Sequence, residues 1–130
     1  NAMRIEPTYV TFEQAKWVKE KGFNLECETK FELNRELSQL NEYNGKMDWN
    51  GVNYSRELIS RPEQWQVVEW LDKNHNIYVH VQKHTRNGLK CYSPFINNVP
   101  TKEDSFFNDF DSQQEAYSST FDCIQQNKLI

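Results

Sequence analysis

The hydrophobic and polar positions are most informative between Ser60 and Gln82. At about 100° per residue, Val67, Val68, Trp70 and Leu71 cover a broad arc with Trp65 at its edge, while Gln66, Glu69 and Lys73 form a narrow polar strip. That pattern predicts a mostly buried helix. Ser60 as N-cap, Pro62 in the first turn and Glu63 reaching back predict its start at about Arg61. Asn74-His75-Asn76 ends it: Asn tolerates the left-handed conformation, and His75 stands where a positive charge suits the helix dipole. Beyond it, Ile77, Val79 and Val81 alternate with Tyr78, His80 and Gln82, the period of a half-buried strand.

The same signals recur elsewhere. Thr11 with Gln14 forms a capping box ahead of Phe12, Ala15 and Val18, and Gly22 supplies the stop, so a helix is predicted over residues 12–21 with Trp17 on its flank. Cys27, Thr29, Phe31 and Leu33 share one face of a predicted strand. Residues 34–59 are looser, a long loop or short hairpin. Leu37, Leu40 and Tyr43 suit a helical turn, a hairpin across Asn50-Gly51 would bring in Val52 and Tyr54, and Trp49 could anchor an irregular loop over the sheet. Ser112 with Glu115 opens a C-terminal helix over 113–126, where Tyr117, Thr120, Phe121 and Ile124 keep helical spacing and Cys123 lies beside the stripe.

Asn87-Gly88 is the dipeptide best suited to a two-residue type I′ turn, which fixes a register. Val81 then faces Pro94, Val79 faces Ile96, Lys83 faces Tyr92 and His84 faces Cys91. Ile77, Val79, Val81, Tyr92 and Ile96 fall on the core side; His80, Gln82, His84, Cys91 and Ser93 fall outside. Pro94 cannot donate to a ladder, so the second strand should be an edge or stop there. Residues 97–110 read as a loop pinned by Phe106, Phe107 and Phe110. Three amphipathic helices and a small antiparallel sheet of three to four strands make an α+β domain, the helices mainly on one face.

Composition narrows the chemistry. The length suits a single domain over residues 3–130, Asn1-Ala2 ahead of Met3 reading as the remnant of a cleaved tag. A net charge of −4 places nucleic acid last among partners, and without an apolar run of spanning length or a leader pattern no membrane partner is expected and cytoplasmic residence is the default. Three unclustered cysteines read as free thiols. His80, His84 and Cys91 share a face, and zinc accepts both residue types, yet no C-x-x-C or H-E-x-x-H accompanies them. Solvated or packed side chains are therefore the expectation, with no metal, cofactor or catalytic residue assigned. A Cys91–His84 nucleophile pair is weaker still. Asp109 and Asp111 glance at a calcium loop, but its Gly and twelfth-position Glu are missing, so they read as charge at a helix N-terminus.

At P-E-Q-W-Q-V-V-E-W-L-D-K-N-H-N-I-Y-V-H-V, T-F-E-Q-A-K-W-V-K-E-K-G-F and D-S-Q-Q-E-A-Y-S-S-T-F-D the chain resembles a group of small proteins, without assigned activity, of gut Bacteroides-type bacteria and their phages. The resemblance covers both ends and the middle. It implies a compact intracellular domain in a phage or mobile-DNA setting and carries over no catalytic residue. The leading expectation is a non-enzymatic interaction or accessory domain, binding an unknown protein or itself through His80, Gln82, His84, Cys91 and Phe95. The alternative is a small-ligand binder or enzyme using a pocket between the sheet and the 34–59 loop.

Overall fold

A computed structural model describes residues 6–33, 38–51, 58–106 and 108–130. In chain order these form α1 (Phe12–Glu20), β1 (Cys27–Leu33), β2 (Ser38–Met47), a 3-10 turn at Trp49–Gly51, β3 (Leu58–Arg61), α2 (Gln64–His75), β4 (Ile77–Arg86), β5 (Leu89–Asn98), β6 (Glu103–Phe106) and α3 (Gln113–Gln126). The class is α+β. The strands divide into two antiparallel three-stranded sheets, in the orders β2-β1-β3 and β4-β5-β6. One apolar cluster joins them: Val18 and Phe23 around α1, Ile59 of β3, Val67, Trp70 and Leu71 of α2, Ile77 and Val79 of β4, Ile96 of β5, and Phe121 and Ile124 of α3.

The helix boundaries follow their caps. Thr11 Oγ accepts from the Gln14 amide while Gln14 Oε1 accepts from the Thr11 amide, and the chain leaves α1 through Gly22 at φ +94°. α2 ends on Asn76 in the left-handed region, and α3 spans its expected residues with Ser112 as cap. Three expectations change. Trp17 is buried, because α1 is covered by both β3 and α3. Ser60 is no cap. It lies fully buried in β3, and α2 begins three residues later than expected, on a box between Glu63 and Gln66. The competing signal is the strand: β3 pairs with β1 through Arg61, and Thr8 and Val10 then bond the backbone at Gln64 and Pro62, which keeps 61–63 extended.

Residues 38–47, where a helical turn was expected, form β2. A register shift opposite Cys27–Thr29 absorbs the Asn44-Gly45 turn signal within the strand. Leu37, and the Val52 and Tyr54 of the expected hairpin across Asn50-Gly51, lie outside the described residues, as does Phe107. The anchor role of Trp49 holds. Its amide donates to Ser60 Oγ at 3.0 Å, its Nε1 donates to the Cys27 carbonyl at 2.9 Å, and Lys30 Nζ stands 4.5 Å from the ring centre. Lys30 is thereby buried beside an aromatic face that favours its charge.

The β4–β5 register is the expected one at every pair, from Ile77 opposite Asn98 to Arg86 opposite Leu89. Asn87 and Gly88, at φ +54° and +77°, make the turn. Yet β5 neither stops at Pro94 nor lies at an edge. The Tyr92 amide donates to Phe110, away from β4, so the nitrogen of Pro94 two residues on faces that same side. There pairing with β6 ends at Phe95–Phe106 and resumes one register off at Tyr92–Phe110. The missing donor falls in this break and costs the β4 ladder nothing. β6 itself lies within the stretch expected to be a loop.

Candidate functional site

The outer face of the β4–β5 hairpin carries the expected surface residues, and the register sets them in rows. His80 and Phe95 are opposite each other and stack, ring centroids 4.9 Å apart and planes 14° from parallel. Gln82 is exposed opposite Ser93, and His84 sits opposite Cys91. The isolated bridge between Tyr92 and Phe110 then lays residue 109 beside this face, which no local pattern foretold.

Asp109 completes a cluster. Ser93 Oγ lies 2.5 Å from Asp109 Oδ1 and 2.6 Å from His84 Nε2. Arg86 Nη2 is 3.1 Å from Asp109 Oδ2, an oxygen shielded from solvent. Asp109 is therefore not charge for the α3 N-terminus, as its sequence position suggested; its carboxylate turns to the hairpin, where Ser93 donates to Oδ1 and Arg86 and His84 stand as ion-pair partners. The Ser93 hydroxyl holds the Asp109 carboxyl below its ordinary range, and the charges of Arg86 and His84 add to this against the opposing effect of burial.

The proton count decides the chemistry. A hydroxyl has one hydrogen; Ser93 donates it to the carboxylate, so His84 Nε2 carries the proton shared with Ser93 Oγ. A nucleophilic triad needs the reverse order, with histidine accepting from serine and carboxylate accepting from histidine. Here serine is the middle member, and the arrangement pins β4, β5 and the 108–110 segment together. Nor is Cys91 poised by His84, since its thiol donates to the Leu89 carbonyl at 3.8 Å. His84, Cys91 and Asp109 nonetheless bring one donor atom each within 4.8 Å of one another, all partly buried. His80, engaged with Phe95, is not among them.

Two hollows stand out among the described residues. One of about 350 Å³ is lined by Glu6, Glu63, Gln64, Trp65, Gln114 and Tyr117, among others, and includes the indole of Trp65, 63% exposed. The other, of about 370 Å³, lies along the far half of the hairpin and takes in part of the cluster, being lined by Lys83, His84, Thr85, Lys90, Cys91 and Tyr92. The pocket expected between the sheet and the 34–59 loop involves residues outside those described. No described helix is long and apolar enough to cross a membrane. No protein-family model, curated protein or solved structure matches the chain.

Proposed function

We propose that the protein is a non-enzymatic binding domain that takes an extended segment of a partner protein along the open edge of β4. The observation that carries this reading is the edge itself. Because the amide and carbonyl of Tyr92 both bond Phe110, those of Lys83 opposite it face away from β5, and the alternation gives Val79, Val81 and Thr85 the same outlook. No strand pairs with this edge among the described residues. An added strand would gain a row of main-chain hydrogen bonds, with Tyr78, His80 and Gln82 alongside for selectivity.

Lys83 and Lys90, both exposed, favour a partner segment carrying carboxylates over indiscriminate pairing. The cytoplasm and a phage or mobile-element setting are part of the proposal and rest on the resemblance read in the sequence alone. A second reading, a small-ligand binder, draws on the hollow beside Trp65.

Lys83→Pro tests the first reading, because proline at an outward-facing position spares the β4–β5 ladder. A host protein captured by the wild type and lost from a Lys83→Pro variant with unchanged circular dichroism is the expected result. Capture of a metabolite without any protein would overturn it in favour of the ligand binder.

A further inference from the structure

We propose that His84, Cys91 and Asp109 form a zinc site that clasps the β4–β5 hairpin to the segment before α3. The donors come from three separate stretches: His84 from β4, Cys91 directly opposite it on β5, and Asp109 from the segment bridged to Tyr92. Imidazole, thiolate and carboxylate together suit zinc better than magnesium or calcium, which take oxygen donors. The spacing fits as well. A tetrahedral ion with bonds of about 2.0–2.3 Å holds its donor atoms about 3.3–3.6 Å apart. His84 Nε2 and Asp109 Oδ1 are 3.6 Å apart, and the thiol, within 4.8 Å of both, has to come closer for all three to ligate one ion.

Two neighbours prepare the place. The Arg86 guanidinium lies 3.1 Å from the other oxygen of Asp109, Oδ2, as an ion pair without a hydrogen bond, and Oδ1 is the oxygen turned to His84. Ser93 Oγ already spans Oδ1 and Nε2, the two atoms that the ion would join. Binding replaces these two hydrogen bonds by two metal bonds. The Nε2 proton moves to Nδ1 or to solvent, the Cys91 thiol proton goes to solvent, and water takes the fourth position. The nearby guanidinium opposes a second positive charge and keeps the affinity modest. This inference is independent of the partner strand at the β4 edge, since the clasp lies on the face of the hairpin.

Cobalt(II) titration of the intact protein, followed by zinc displacement, tests it. The expected result is one ion per chain, a thiolate-to-cobalt charge-transfer band with tetrahedral ligand-field bands, and a higher melting temperature in zinc. Cys91→Ser should abolish the charge-transfer band, and His84→Gln and Asp109→Asn should each weaken binding by about tenfold or more. Cys123→Ser, at a partly buried position outside the three-donor cluster, should leave the spectrum unchanged. Absence of a thiolate band at millimolar cobalt, or a band that survives Cys91→Ser in a variant with native circular dichroism, would overturn the proposal.

Discussion

The three cysteines show how far a residue's neighbourhood departs from its type. Burial pushes the Cys27 thiol up to about 12, more than offsetting the hydrogen bond with Ser60, and Asp48 and Glu63 add to the rise. Because the thiolate is the reactive form, Cys27 should be labelled by a disulfide reagent at pH 8 at least about a hundredfold more slowly than Cys91 or Cys123, until denaturant is added. Peptide mapping of the labelled protein reads this directly. His75 departs in the other direction. Burial, with the Trp70 ring 4.6 Å away, and the charge of Lys21 lower its pKa, although it ends a helix where the dipole would favour the cation. Below about pH 6.5 the unfolded chain takes up a proton that folded His75 still refuses, so stability falls as pH drops through that value. Denaturation midpoints of His75→Gln should decline less between pH 7 and 5 than those of the wild type. That a free thiol such as Cys27 would be buried could be expected from the sequence, but the surroundings of His75, which read as a favourable charge, could not, because Lys21 meets it only in the folded chain.

Elements set by local signals were legible, and those set by distant pairing were not. α1 and α3 announce themselves by Thr11 and Ser112, and the whole β4–β5 register follows from Asn87-Gly88. By contrast Ser60 carried a good cap signal, overruled because β1 and the 8–10 segment claim its backbone neighbours for pairing. Residues 38–47 gave helix-like spacing but took the strand that β1 templates. The same division explains the candidate site: His84 and Cys91 were placed opposite each other by the turn, whereas Asp109 required a bridge closed across sixteen residues from Ser93. The turn is therefore the element to test. Gly88 has open space for a methyl group but sits at φ +77°, so Gly88→Ala should cost about 1 kcal/mol through backbone strain alone. Thermal unfolding with a native-like spectrum below the transition would show it; a loss near zero would mean that the turn has changed type.

For the whole molecule, the decisive feature is that two sheets share one interior. Phe121 is fully buried in α3 within the same cluster as Ile59 of the first sheet and Ile96 of the second. Phe121→Ala should destabilise the protein by about 3–5 kcal/mol, and tryptophan fluorescence and far-ultraviolet circular dichroism should still report coincident denaturant transitions. Separate transitions would mean that the sheets fold independently. The α+β class and the three helices could be read from periodicity; the split into two sheets could not, because β2 read as a helical turn, β6 as a loop, and Pro94 made β5 read as an edge.

Gln14 has a further consequence. Its buried amide nitrogen is shared among the Ser118 carbonyl at 3.1 Å, Ser118 Oγ at 2.9 Å and Asp122 Oδ1 at 3.0 Å, partners 104 and 108 residues downstream. Until Ser118 and Asp122 have been synthesised, that amide can bond only water. α1 is thus locked only once α3 has formed, through a contact of high sequence separation that closes late.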